Sequence, residues 1–237
     1  SEPYLLSQQS GSVLQLHLNR IEKRNALSDE LVHALRQTFE NLAPEVRAVV
    51  IGAHGEHFSA GLDLGELTER DPAQAVLHSR LWHQAFNAIQ FAPVPVIAAL
   101  HGAVVGGGLE LAAACHIRVA DETTYYALPE GMRGIFVGGG GSVRIPKLIG
   151  LARMSDMMLT GRVYRAEEGE RAGFAQYRVA SGQSFDKAME LAARVIENAA
   201  LSNYAITQSL PLIAEQSADH GYLTEALMTA ITQSAPE

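Results

Sequence analysis

Two carboxylates in this chain each stand close to a run of glycine. Glu110 follows Gly106, Gly107 and Gly108 in the stretch L-H-G-A-V-V-G-G-G-L-E-L, and Glu130 follows Pro129 a few residues before a second run, Gly138 to Gly141. The stretch between the two acids is long enough, read as a helix and a strand, to bring the chain back to the same rim. Two carboxylates sharing one small pocket do not both ionise easily. Repulsion and desolvation raise one pKa and leave an acid beside a base. Such a pair can add water across a double bond or carry a proton between carbons. Each acid also has a plainer reading. Glu110 suits the first turn of a helix, and Glu130 suits the start of one after Pro129.

The glycines supply the second half of the chemistry. With no Cβ, they let a substrate atom approach the main chain. The first amides of a helix lack intrahelical partners, and the helix dipole favours negative charge there. A glycine turn opening a helix can therefore bind an anion or stabilise one that develops during reaction. The loop Phe58-Ser59-Ala60-Gly61-Leu62-Asp63 can supply a second donor. With the Leu62 amide facing that of Gly107, a thioester oxygen would lie between two N–H groups and its enolate would be stabilised. Removing one donor from such a site costs about 2.7–4 kcal/mol. The alternative is a surface loop in which Asp63 caps the next turn of the chain.

The elements that must hold these groups are read from periodicity. Val13 to Leu18 alternates as a half-buried strand, with Tyr4 to Gln8 as its hairpin partner. Ser28 reads as an N-cap for a helix carrying Leu31, Leu35, Phe39 and Leu42. Arg47 to Ile51 reads as a buried strand, so strand, helix and strand make a parallel crossover. Pro72 opens a helix carrying Trp82 and Phe86, which Pro93 and Pro95 close. Trp82 and Phe86 read as core or as the wall of an acyl pocket. Strands come next at Val96 to Leu100 and Ile117 to Ala120, and Val143 to Ile149 lies beyond the second glycine run. From Leu151 the chain is mainly helical: Arg153–Leu159, Ala166–Ala172, Phe185–Asn198, Tyr204–Glu215 and Tyr222–Thr232, with one strand near Gln176–Val179. The class is α/β. Residues 1–183 read as a core bearing the site and residues 184–237 as a helical C-terminal region.

Composition narrows the partners. Of 237 residues 47% are hydrophobic, enough for a substantial core, and the formal net charge is −8. An acidic chain is a poor match to nucleic acid, which wants a basic face. There are 15 Arg and 3 Lys, so a small anion can still be met locally by arginine. The single cysteine, Cys115, excludes an intrachain disulfide and reads as core filler. No membrane span, signal peptide or internal repeat is expected, and a cytoplasmic location fits. There is no phosphate-binding G-x-x-x-x-G-K-[ST], no dinucleotide G-x-G-x-x-G and no H-E-x-x-H. H-F-S-A-G around Ser59 lacks the first glycine of a nucleophile elbow. His54 and His57 share a loop but have no companions at metal-ligand spacing, and no metal is expected.

Taken together, four stretches resemble the crotonase, or enoyl-CoA hydratase/isomerase, superfamily from about Leu16 onward. They are N-R-I-E-K-R-N-A-L at Asn19–Leu27, F-S-A-G-L-D-L at Phe58–Leu64, H-G…G-G-G-L-E-L at His101–Leu111, and L-P-E at Leu128–Glu130 with the glycines beyond. The resemblance implies a crotonase-like spiral of ββα units. It implies C-terminal helices that drive assembly into a homotrimer or a dimer of trimers. It implies Leu62 and Gly107 as the oxyanion-hole amides, and Glu110 and Glu130 as the catalytic acids. Glu110 would activate water and Glu130 would protonate Cα. Arg24, Ala26, Ser59, Ala60, Gly61, Asp63 and Leu64 would touch the CoA portion of the substrate, with no cofactor beyond that CoA. The activity implied is hydration of a 2-enoyl-CoA, with isomerase, hydrolase and hydratase-lyase chemistry on the same scaffold as alternatives. Three features depart from the pattern. His101 replaces a common Asn, Val137 replaces a usual Pro, which loosens the wall beside Glu130, and the sequence stops short of the family's usual last helix.

Overall fold

The computed structural model describes residues 3–234; the first two and last three residues of the two regions expected above lie outside the described residues. The alternating and apolar runs form a six-stranded sheet. Its strands are β1 (Leu5–Ser10), β2 (Val13–Leu18), β3 (Ala48–Ala53), β4 (Val96–Leu100), β6 (Ile117–Asp121) and β9 (Tyr177–Val179), in the order β1-β2-β3-β4-β6-β9. The β1–β2 hairpin is antiparallel, with Leu5 opposite Leu18, and every other pairing in this sheet is parallel. A second, three-stranded sheet joins β5 (Ala103–Val105), β7 (Tyr125–Ala127) and β8 (Tyr164–Arg165). None of its strands was expected. Each is two or three residues long, too short for a period to register.

The central strands are apolar on both sides because both sides are covered. On one face Val49, Ile51, Ala98 and Leu100 join the main core, with Leu31 and Leu35 of α1 (Asp29–Glu40) and Phe86 and Ile89 of α2 (Pro72–Gln90). On the other face Val50, Ile97 and Val119 meet Ala188, Leu191 and Ala192 of α7 (Ser184–Val195). The boundary expected at 183/184 thus falls on the near side of a helix that closes the sheet. Burying a side chain such as Phe86 or Ile89, both 0% exposed, stabilises by about 1.5–3 kcal/mol.

Local signals set the helix starts. The Ser28 hydroxyl accepts from Leu31 N–H, and Asp71 and Gln74 form a reciprocal cap with Pro72 at the first position of α2. Beyond β5 come α3 (Gly107–Ala114), α4 (Gly141–Ile149), α5 (Leu151–Thr160) and α6 (Ala166–Ala172), and beyond α7 come α8 (Ala200–Ile213) and α9 (Ala218–Ser234). The expected Tyr204–Glu215 helix starts earlier and carries Pro211 within it. Pro129 leads not into a helix but into a short 3₁₀ turn, Gly131–Arg133.

The chain climbs as a spiral whose successive turns are stitched side by side. Isolated bridges link Leu27 with Leu62 and Ser59 with Val104, and β5 then pairs with β7. The three motif-bearing loops are thereby placed next to one another. Among the described residues no helix is long and apolar enough to cross a membrane.

Candidate active site

The segment Phe58–Asp63 is clamped on both edges. On one side Phe58 N–H donates to His101 O, Ser59 N–H to Ala103 O, and Val105 N–H to Ser59 O; on the other, Ala60 N–H donates to Arg24 O, Leu27 N–H to Gly61 O, and Asp63 N–H to Leu27 O. This alternation aims Leu62 N–H away from the Leu27 strand, and it has no partner among the described residues.

Gly107 stands opposite, at the first position of α3, where an amide has no intrahelical acceptor. A Cβ placed on Gly107 would lie 3.5 Å from Leu62 N, so the two backbones are neighbours. The approach depends on glycine. A Cβ on Gly108 would meet Ser59 O at 2.5 Å, and one on Gly107 would meet the Trp82 ring at 2.9 Å. Gly106 is forced to φ +54°, and its own N–H is held by Ala127 O. The helix thus begins inside the glycine run.

Glu110 projects from the first turn of α3 and is 3% exposed. Its Oε2 accepts from Gly139 N–H and from Gly141 N–H, both at 2.7 Å. Burial pushes its pKa up to about 7 against the pull of those amides, and the neighbouring charge of Glu130 adds to the rise. Glu130 opens the Gly131–Arg133 turn, but its side chain caps nothing. It is 7% exposed, and its Oε2 is buried with no hydrogen-bond partner among the described residues. Burial raises its pKa, while a hydrogen bond from its own backbone N–H and then the charge of Arg133 draw it down. Both acids therefore favour the protonated form more than a surface glutamate does, in each case chiefly because the carboxyl is buried.

The two acids, Leu62 and Gly107 line one cavity of about 310 Å³, together with Ala60 and Leu64. Of the other residues expected to touch CoA, Arg24 is exposed, whereas Ala26, Ser59, Gly61 and Asp63 are buried in the rim. Asp63 is spent within the protein: its carboxylate accepts from Gly65 N–H and pairs with Arg20 at 2.7 Å, and these contacts hold its pKa below the usual range. The Ser59 hydroxyl is likewise used, donating to Asn25 O. Arg24 and Asn25 both adopt left-handed backbone, at φ 51° and 54°. Such strain costs an ordinary residue about 1–2 kcal/mol.

Sequence reasoning passed over several participants. Asn25 is 1% exposed; it accepts from Arg20 N–H and donates to His54 O and His57 O, tying the first turn to the second loop. An Asn directly after a basic run in a turn was the available signal. His78 and Ser79 join Trp82 in the cavity wall. Asp29 accepts from Trp82 Nε1 at 3.2 Å and from His78 Nε2 at 2.7 Å, and so orients the indole that lies on Gly107. Val137 also lines the cavity and is 7% exposed. His101 turns away from it, its ring bonded to Gly55 O. Among the described residues no cluster of His, Cys, Asp or Glu can hold a metal. A wider groove of about 490 Å³ between α5 and α6 is lined by ion-paired side chains and none of the expected site residues.

A model of the enoyl-CoA hydratase/isomerase family matches residues 8–235. The chain belongs to the enoyl-CoA hydratase/isomerase family. The mixed α/β architecture of its solved relatives is the crotonase fold. One of these, from Rhodopseudomonas palustris CGA009 and described as a "putative enoyl-CoA hydratase", is 57% identical, with a TM-score of 0.96 over 98% of this chain and 90% of that one. Another, described in the same words, from Thermobifida fusca YX and solved in complex with CoA, is 25% identical with a TM-score of 0.90 over 98% of this chain and 93% of that one. A "Probable enoyl-CoA hydratase 2, mitochondrial" of Arabidopsis thaliana is 30% identical over 204 residues, or 83% of this chain. The match spans 66% of the plant protein's length.

Proposed function

We propose that this chain is an acyl-CoA hydratase/dehydratase that adds water across the 2,3 double bond of a 2-enoyl-CoA and removes it in reverse. One observation carries the reading: Glu110 and Glu130 line the same cavity as two backbone amides with no partner of their own. The thioester oxygen accepts from Leu62 N–H and Gly107 N–H. Water held between the acids attacks Cβ, and Glu110 takes its proton. The double-bond electrons move toward the carbonyl, giving an enolate between the two amides. Glu130 then protonates Cα. The pair ends with Glu110 protonated and Glu130 ionised, and one proton passed back through water restores it. A buried, unpartnered Glu130 oxygen suits an acid waiting to donate. A Glu110 titrating near neutrality and fixed by two amides suits a base.

The CoA portion enters past Ala60 and Leu64. Arg24 is exposed on the adjoining turn, and Ala26, Ser59, Gly61 and Asp63 hold that rim in shape. CoA is then part of the substrate, with no separate cofactor. We also assign the C-terminal helices to assembly as a trimer or dimer of trimers, since Tyr204, Leu210, Tyr222 and Leu227 are all exposed on α8 and α9.

The test is product mass after incubation with crotonyl-CoA and with longer and aromatic 2-enoyl-CoAs. A 3-hydroxyacyl-CoA, gained by one water, is expected. A moved double bond, a free acid with CoA, or a shortened acyl-CoA with an aldehyde would replace hydration by isomerase, hydrolase or lyase chemistry respectively.

A further inference from the structure

The wall of the catalytic cavity carries one permanent cation, Arg133. Its guanidinium makes no hydrogen bond and no ion pair among the described residues, although the backbone of the same residue is fixed by Arg133 N–H donating to Glu130 O. Apart from Glu130, whose Oε2 has no partner among the described residues, the other polar side chains of the wall are already engaged. The Ser79 hydroxyl donates to Gly138 O at 2.6 Å, His78 Nε2 is held by Asp29, and Glu110 Oε2 is held by two amides. Glu130 lies near enough to feel the Arg133 charge yet forms no ion pair with it. The same cavity is lined by apolar side chains as well, Leu67, Ala75, Ile135 and Phe136 among them. A wall built for a plain hydrocarbon tail has no use for a guanidinium, whose five N–H donors in a planar fork match a carboxylate.

Resting on the hydratase reading, we propose that Arg133 selects the acyl group, and that the preferred substrates are 2-enoyl-CoAs whose acyl chain ends in a carboxylate. The thioester end is fixed by Leu62 and Gly107 and the reacting carbons by the two acids. The distal carboxylate then pairs with Arg133, which lines the cavity and is exposed to solvent, through the planar fork of its guanidinium.

The experiment compares pairs of 2-enoyl-CoAs matched in chain length, one ending in methyl and one in carboxylate, on the wild type and on Arg133→Gln and Arg133→Lys. The wild type is expected to show higher kcat/KM for the carboxylate member at the chain length that reaches Arg133. Arg133→Gln is expected to lower that preference about 2- to 5-fold, with Arg133→Lys between. Taking the ratio within each pair removes any effect of the substitution on Glu130. Binding of the saturated acyl-CoA pairs, measured by calorimetry, should show the same preference and the same loss, so the inference is judged even if the reaction is not hydration. Free CoA should bind all three proteins alike. The proposal is overturned if the wild type shows no preference at any length. It is also overturned if Arg133→Gln weakens both members of a pair equally, which would place the guanidinium on the CoA phosphates.

Discussion

The two glycine runs look alike in the sequence and do opposite work. At Gly106 to Gly108, glycine brings α3 against Ser59 and Trp82 and leaves the Gly107 amide facing out into the cavity. At Gly138 to Gly141, glycine turns amides inward, where Gly139 and Gly141 both bind Glu110. The first run leaves the Gly107 N–H without a partner among the described residues; the second gives its N–H groups to Glu110. A glycine run therefore marks where backbone amides become available, and the fold around it decides what receives them.

The acids show the same division. Glu110 is held by the second run, whereas Glu130 Oε2 has no partner among the described residues, so the sharpest contrast comes from replacing each in turn. Glu110→Gln and Glu130→Gln should each lower kcat on crotonyl-CoA by about 10²- to 10⁴-fold, with the dissociation constant of a saturated thioester unchanged, as steady-state kinetics and calorimetry will show. Glu110 should differ from Glu130 in pH dependence. A base titrating at about 7 must be ionised to act, so the rate should rise as pH passes upward through that value. Stability runs the other way. The folded protein holds the Glu110 proton more tightly than the unfolded chain, so stability is full below the unfolded carboxyl pKa of about 4.5 and falls until about 7. The loss is about 3 kcal/mol. Denaturant titrations across that window should find the loss in the wild type and not in Glu110→Gln.

Gly108→Ala tests the first run. Its Cβ would sit 2.5 Å from Ser59 O, which separates the two segments and their amides. About a 10²- to 10³-fold loss of kcat is expected, with a lower thermal midpoint by calorimetry. Gly141→Ala tests the second. Its Cβ would lie 2.9 Å from Glu110 Oε2, so the carboxylate is displaced from its amides. Bonds that favoured the ionised form are lost, and the rising limb of the pH profile should move to higher pH, with about a tenfold loss of rate at neutrality. The smallest effect on rate is expected from Trp82→Phe, which removes the donor to Asp29 and the outer indole carbons that lie on Gly107. It should cost about 1–3 kcal/mol of stability, from the lost hydrogen bond and the lost packing together, and leave the pH profile in place.

The sequence made the large elements legible because their signals are local. Leu14, Leu16 and Leu18 alternate, Ser28 caps, Pro72 opens a helix, and the structure has all of these. It also put Glu110, Glu130, Leu62 and Gly107 within reach of one pocket through motif order. It did not reveal β5, β7 and β8, whose pairing depends on neighbours far along the chain. Nor did it show that Asp63 is consumed by Arg20, or that His78, Ser79 and Arg133 complete the wall. Those facts belong to contacts between distant segments, and no period or cap encodes them.

The most direct measurement is the infrared carbonyl stretch of a 2-enoyl-CoA labelled at its thioester carbonyl, bound to Glu110→Gln so that it does not turn over. Two amides aimed at that oxygen predict a stretch clearly lower in frequency than in free solution, unchanged when Gly141→Ala is added and diminished when Gly108→Ala is added. A bound carbonyl vibrating at its solution frequency would contradict the account, because the first glycine run would then present nothing to the substrate.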